Sequence, residues 1–351
     1  RSARATMSSF CDVESVKAPP LGLGLAALGR PGYINLGHDG DFPAKDVDAM
    51  RAQAFATLDA AYDAGVRYFD AARSYGLSED FLGDWLRGRA DVAPDAVIVG
   101  SKWGYTYTAA WRVDNGSDPH EVKEHTVANL EAQWPLSRAR LGRYLNLYQI
   151  HSATLQSGVL VNDAVLDELA RLKRTEGVKI GLTLSGPEQS ETLRAAIRVE
   201  RDGARLFDCV QATWNAMEQS AGAALEEARD VGMHVIVKEA LANGRLTRRN
   251  DAESARAVLE ALEAIADRFG EKGDGADAAA LAVAMTRRFQ PMVLSGAANA
   301  AHARSNAAAM EMARRMEVEP EEAERLVEEA LERGRVEPEA YWSQRAGMEW
   351  N

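Results

Sequence analysis

Short apolar, β-branched runs alternate along this chain with longer stretches whose apolar residues recur every three or four positions. The short runs are LGLGLA (21–26), VRYFD (66–70), VIVGSK (97–102), LNLYQIH (145–151), VKIGLTL (178–184), FDCVQA (207–212), MHVIVKE (233–239) and PMVLSG (291–296). Each is about one strand long with little internal polarity, the pattern of strands buried on both faces. The longer stretches, at 50–65, 79–88, 122–134, 165–177, 188–200, 221–232 and 277–289, set acids and bases opposite an apolar face and read as amphipathic helices. Gly65 and Gly232 supply helix stops. Eight strand–helix units in series predict an α/β fold, a single (β/α)8 TIM barrel over 19–310 with extended C-face loops. Residues 1–18 read as a disordered or processed N-terminal segment. Residues 311–351 read as a C-terminal helical extension packed on the barrel, with EPEEAERLVEEALERG (319–334) as a solvated helix.

Three loops exceed what a minimal barrel needs: 29–44, 104–121 and 241–275, the last containing the helical segment ARAVLEALEAIADRF. All follow strand C-terminal ends, where a barrel builds its binding surfaces. Hydrophobic residues make up 46% of the 351 and charged residues 27%, with net charge −12. That balance supports a large core and argues against nucleic-acid or anionic-membrane partners. No apolar stretch is long enough for a membrane span. Cys11 and Cys209 lie far apart and outside any metal-ligand spacing, so neither a disulfide framework nor a metal site is expected. The opening RSARATMSSF is rich in Arg, Ser and Ala without an acid. The expectation is a cytoplasmic protein, or a plastid or mitochondrial one if this opening is the remnant of a transit peptide.

Chemistry gathers at strand ends. Asp70, Lys102 and His151 each close an apolar run, and Tyr75 follows Asp70 by five positions. A carboxylate, an ammonium, an imidazole and a phenol at the C-terminal ends of neighbouring strands suggest a proton-transfer site. A phenol with a pKa near ~10 becomes a usable acid near neutrality when a cation lowers that value. Lys102 is the expected cation, Asp70 its counter-ion, and His151 the group that orients a substrate oxygen.

At these positions the chain resembles the aldo-keto reductase superfamily. FDAARSYG (69–76) matches the family's Phe-Asp-x-Ala-x-x-Tyr-Gly segment, SKWG (101–104) its strand-end lysine and LYQIHS (147–152) its strand-end histidine. The resemblance runs from about residue 20 to about residue 310. It implies reduction of an aldehyde or ketone by hydride from NADP(H), with NAD(H) left open, and Asp70, Tyr75, Lys102 and His151 as the catalytic set. It further implies that Ser185, Gln211, Trp214, Leu241, Gly244, Ser295, Gly296, His302 and Asn306 bind the cofactor. Gln211 would hold the carboxamide and Trp214 stack on the nicotinamide. Leu184 stands where the family carries Asn, so Thr183 or Ser185 would replace that contact. Ala298 and His302 stand where the family has cationic or polar clamps, which weakens the expected grip on a 2′-phosphate. Lys238 is a further candidate anion contact.

The aromatics Tyr33, Trp103, Tyr105 and Trp111 lie on loops beside the site and are expected to form the substrate pocket. The expected partner is a small-molecule carbonyl compound; monomer and homo-oligomer are both open. Two other functions use the same residues: a cofactor-sensing binding subunit of this fold, and a barrel lyase forming a Schiff base on Lys102.

Overall fold

The computed structural model describes residues 19–351; positions 1–18, with Cys11 and the whole expected N-terminal segment, lie outside the described residues. Eight parallel strands close on themselves: β1 (Leu21–Gly24), β2 (Tyr68–Asp70), β3 (Ile98–Trp103), β4 (Leu145–Ala153), β5 (Lys179–Leu184), β6 (Cys209–Thr213), β7 (His234–Lys238) and β8 (Met292–Ser295). Each strand pairs with its sequence neighbours, and β1 closes on β8 in the register Leu21↔Val293. The strands α1 (Val47–Asp63), α2 (Ser78–Gly88), α3 (Val127–Leu141), α4 (Asp163–Glu176), α5 (Gln189–Ile197) and α6 (Gly222–Asp230) follow are β1 to β6 in turn. After β7 come α7 (Arg256–Phe269) and α8 (Ala276–Met285); α9 (Ala300–Val318) follows β8. Two more helices, α10 (Pro320–Gly334) and α11 (Pro338–Ala346), complete the chain.

Strand alternation divides the core in two. Tyr68, Ile98, Leu147, Cys209, Ile236, Met292 and Leu294 form a cluster of their own that fills the barrel. The larger cluster lies between strands and helices. Cys209 is fully buried in the inner cluster, and burial pushes its thiol well above the usual range. Gly100 is required where these layers meet: a Cβ there would stand 2.5 Å from the Tyr68 hydroxyl and 3.2 Å from Asp70 Oδ1.

Two stretches differ from the sequence expectation. The segment Glu121–Lys123 pairs antiparallel with Tyr105–Tyr107 instead of starting the helix expected at 122. That helix starts at Val127, where the Thr126 side chain accepts from Asn129 N–H and caps it. The helix over 319–334 is not solvated all round. It buries Ala323, Leu326, Val327 and Ala330 and packs on α7. At its end, a Cβ on Gly334 would come within 2.6 Å of the Ala216 carbonyl, so the helix approaches the loop after β6 at backbone distance. The helix α9 runs unbroken through position 310.

Candidate active site

The strand C-terminal ends open into a cavity of about 610 Å3. At its floor, Asp70 ends β2, and register places it beside Gly100 of β3. Lys102, two positions on, therefore faces the same interior. Lys102 is fully buried and forms an ion pair with Asp70, and its Nζ also donates to the Ala71 carbonyl at 3.0 Å. Asp70 Oδ1 accepts from Tyr68 Oη at 3.0 Å and from the side-chain amides of Gln149 and Gln211 at 3.2 Å each. A buried ion pair survives only when hydrogen bonds support both charges, and here Asp70 accepts from four side chains while Lys102 donates to two oxygens. Burial pulls the Lys102 ammonium below its ordinary value, against the opposing pull of Asp70.

Tyr75 stands over this pair. The Lys102 Nζ is 4.5 Å from the Tyr75 ring centroid. The Tyr75 hydroxyl lies 3.5 Å from His151 Nε2, and the two rings meet edge-on with centroids 5.4 Å apart. Asp70, Tyr75 and His151 all face the cavity, with Lys102 sealed behind them. The expected pKa effect differs, however. Burial, then Asp70, push the Tyr75 phenol well above 10, and the cation that opposes them is Arg30.

His151 sits near the end of β4, where the ladder to β5 shifts register between Ile150 and Ala153 and Ser152 takes a φ of 54°. The Ser152 N–H turns out to the Thr183 hydroxyl at 2.8 Å. Ser74 Oγ lies 3.3 Å from His151 Nδ1. Burial, then the positive charges of Lys102, Lys238 and Arg30, hold the imidazole well below 6.5, so it is neutral. A neutral imidazole donates through one nitrogen only.

The expected cofactor residues divide. Ser185, Gln211, Leu241, Gly244, Ser295, Gly296, His302 and Asn306 all line the cavity. Thr183 is spent on the Ser152 backbone, which leaves Ser185 as the hydroxyl facing the cavity after β5. Asn306 Nδ2 donates to Ser295 Oγ at 2.8 Å, tying α9 to the end of β8. Asn299 caps α9 by accepting from His302 N–H at 3.0 Å. Gly296 has no atom within 4 Å of where a Cβ would stand, so the space beside the α9 N-terminus is open. Trp214 does not stack over the cavity. It is buried against Phe289, with ring centroids 5.7 Å apart. Alternation explains this: Gln211 and Thr213 face inward, so Trp214 faces the helices.

The aromatic pocket is corrected in the same way. Tyr33 lines the cavity. Trp103 follows the inward Lys102, points outward, is fully buried and packs on His125. Trp111 packs on Phe81 and donates to the Lys45 carbonyl at 2.8 Å, away from the cavity. Tyr105 touches His151 edge-on at 5.0 Å but does not line the cavity.

Charged residues unmarked in the sequence take their place: Arg30, Glu121, Glu239, Arg345 and, at the far end, Asp41, Arg248, Arg249 and Asp277. Glu239, with φ 54°, turns β7 outward and accepts a bidentate pair from Arg345 of α11 at 2.6–2.9 Å. Burial alone would raise the Glu239 carboxyl; Arg345, then Lys238, overcome it and hold it at about 2. Lys238 donates to Thr213 Oγ1 at 2.8 Å, and burial draws it down to about 8. Arg249 pairs with Asp41 and reaches His302 Nε2 at 3.1 Å. Ala298 is buried and its carbonyl accepts from Gln53 at 2.7 Å, so the position where the family carries a cation faces α1 here. Only the spatial meeting of loop 241–275 with α9 reveals the arginine there. Among the described residues no helix is long and apolar enough to cross a membrane.

Comparison with known proteins agrees with this architecture. A curated relative, the aldo-keto reductase str7 of Strobilurus tenacellus, is 28% identical over 221 residues, covering 63% of this chain and 59% of its own. The chain thus matches under two thirds of that relative's length. Two solved structures share the fold. The glycerol dehydrogenase of Gluconobacter oxydans has a TM-score of 0.67 at 18% identity, over 94% of this chain and 97% of its own. The holo form of an aldo-keto reductase from Bacillus halodurans has a TM-score of 0.62 at 18% identity, over 91% and 94%. The model of the aldo/keto reductase family matches residues 20–328, and the chain belongs to that family.

Proposed function

We propose that this protein is an NADP(H)-dependent oxidoreductase that reduces an aldehyde or ketone, or oxidises the corresponding alcohol. The observation that carries the proposal is the meeting of Tyr75, His151 and the Lys102–Asp70 pair at one end of a cavity, with Ser295, Gly296 and Asn306 along the other. The second end fits a dinucleotide. Open space beside Gly296 leaves the α9 N-terminus accessible to a phosphate. The Gln211 amide nitrogen is engaged by Asp70, which leaves its carbonyl oxygen for a carboxamide. A nicotinamide supplies the hydride when bound.

The chain's own groups handle the proton. Tyr75 donates it to the substrate oxygen, and the neutral His151 donates a hydrogen bond to the same atom and fixes its place. Arg30, whose guanidinium carbon is 5.2 Å from the Tyr75 ring centroid, offsets part of the rise in the phenol's pKa. The Lys102–Asp70 ion pair fixes the floor of the site beneath the phenol. The Schiff-base alternative is disfavoured by this arrangement, because Lys102 is sealed from the cavity and ion-paired. For the 2′-phosphate, Arg249 beside His302 is the cation we assign, with Arg248 next to it.

A panel of aldehydes and ketones with NADPH or NADH, followed by loss of reduced-cofactor absorbance, tests this reading. Turnover with at least one carbonyl, faster with NADPH, is the expected result. Cofactor binding without turnover on any carbonyl would overturn it in favour of the sensing subunit.

A further inference from the structure

His151 reaches Tyr75 from a place where β4 stops being a regular strand. Pairing with β3 ends at Trp103↔Ile150, and pairing with β5 jumps from Ile150↔Leu182 to Ala153↔Leu184. His151 and Ser152 thus have no partner residue in either ladder. Such a break re-aims a side chain, and the backbone groups it loosens need other partners. Here side chains take them. The Ser152 N–H donates to Thr183 Oγ1 at 2.8 Å, the Ser152 carbonyl accepts from Lys123 Nζ at 2.8 Å, and the His151 carbonyl accepts from His125 Nε2 at 2.8 Å. Two of these three side chains come from the Glu121–Lys123 hairpin strand and the residues just after it.

The His125 ring spends its only donor on this contact. Its partner is a carbonyl, so Nε2 carries the hydrogen. Burial, the largest cause, holds the imidazole at about 4, so near neutrality it is uncharged and has one N–H to give. Its Nδ1 is buried with no hydrogen-bond partner among the described residues. Gly104 makes the reach possible. With φ 104°, a Cβ there would stand 2.5 Å from His125 Cδ2 and 2.8 Å from Nε2. The stretch that carries the ring is fixed: Glu124 N–H donates to the Gly104 carbonyl at 2.8 Å, and Gly104 N–H donates to Gln133 Oε1 at 3.0 Å. Trp103 and Tyr105 meet the ring edge-on, with centroids 5.9 and 6.4 Å away.

Resting on the reductase reading above, we propose that His125 is a positioning residue: by holding the His151 carbonyl at the β4 break, it keeps the His151 imidazole in reach of the oxygen that Tyr75 protonates. The His151 carbonyl and the Ser152 N–H belong to one peptide plane. His125 pins one end of that plane and Thr183 pins the other. Ser152 is held at φ 54°, a left-handed conformation that a serine adopts at a cost, so the plane relaxes when either pin is lost. The imidazole itself has weaker restraints. Ser74 Oγ is 3.3 Å from Nδ1 and the Tyr75 hydroxyl 3.5 Å from Nε2, both long for hydrogen bonds. The direction of the ring is therefore set mainly by the backbone that carries it.

The test compares the wild type with His125→Phe and His125→Gln, each counted by NADPH-binding sites so that unfolded protein drops out. It measures kcat with the best carbonyl of the panel, the NADPH dissociation constant, and the nitrogen-15 shifts of the His151 imidazole. His125→Phe keeps a ring and removes the donor. It should lower kcat about ten- to a hundredfold, the scale of misplacing a catalytic group by about an ångström, with NADPH binding little changed. His125→Gln, which retains an N–H donor, should recover most of that loss. The His151 shifts should report a single Nε2–H tautomer in the wild type and an average of two tautomers in His125→Phe. If His125→Phe does not fold, Thr183→Val releases the other end of the same peptide and should give the same two changes. Wild-type kcat in the variant without the donor, equal losses in His125→Phe and His125→Gln, or unchanged His151 shifts overturn the inference. Failure of the wild type on every carbonyl would instead sink the reductase reading, and the His151 shifts would then decide alone whether His125 holds the ring.

Discussion

Tyr75 is the residue on which the chemistry turns, and its surroundings set what its loss does. It touches His151 and the Lys102–Asp70 pair, whereas Ser295, Gly296 and Asn306 line the same cavity from the end of β8 and from α9. Tyr75→Phe should therefore lower kcat by about 10² or more while leaving the NADPH dissociation constant within a few fold. Near-normal turnover in this variant would end the mechanism. At the opposite arm, Arg249→Ala should lower kcat/KM with NADPH about tenfold and change NADH little, since one charge-assisted contact to a phosphate is lost. Equal losses with both cofactors would show that Arg249 acts on Asp41 and the loop rather than on a phosphate. The strand-end residues Asp70, Lys102 and His151 were legible because each closes an apolar run, and Tyr75 because it follows Asp70 by five positions in the segment FDAARSYG. Arg249 was not, because nothing in a linear reading ties position 249 to His302. Trp103 and Trp214 were legible and misread: each directly follows an inward position, so alternation alone turns it toward the helices.

At the scale of elements, the barrel was readable because each of its strands is short, apolar and followed by an amphipathic helix. What the pattern hid was the short hairpin of Tyr105–Tyr107 and Glu121–Lys123, whose strands are only three residues each and are separated by a long loop, yet which carries Glu121 to the cavity. The interlock of the turn at Gly29 with the turn at Gly76 was equally hidden, since glycine content does not say what approaches a Cα. Gly76 has a φ of 57° and faces the Gly29 carbonyl at 2.3 Å from a hypothetical Cβ. Gly76→Ala meets both obstacles, the left-handed backbone and the close carbonyl. It should destabilise the protein by roughly 2 kcal/mol or more. It should also reduce kcat, because separating the turns moves Tyr75 relative to Arg30. Urea denaturation with kcat measured on the same preparation tests this; a loss of stability with unchanged kcat would mean that Tyr75 is positioned by His151 and Lys102 alone.

Across the whole molecule, the C-terminal helices are part of the site. The sequence marked them as a charged appendage, but α11 returns Arg345 to Glu239 at the end of β7, and buries Tyr341 and Trp342 beside the pair. The link is electrostatic and so should be visible in the pH dependence of stability. Glu239 has its carboxyl held at about 2, below the ordinary 4.5. A carboxylate depressed in the folded state contributes its full stabilisation above the unfolded value. It loses that contribution as pH falls from about 4.5 through about 2, because the unfolded chain takes up the proton first. With Glu239 only 7% exposed, the contribution is on the order of 3 kcal/mol. Glu239→Gln keeps the shape and removes the charge. At neutral pH it should be destabilised by about 3 kcal/mol, with Arg345 left partly buried and unpaired. Below about pH 4.5 its stability should fall less steeply than that of the wild type, and the two curves should converge toward pH 2. Denaturation midpoints across pH 2 to 7 for both proteins decide this. Parallel curves would mean that α11 is held to the barrel by the packing of Tyr341 and Trp342 and that the Glu239–Arg345 pair contributes little.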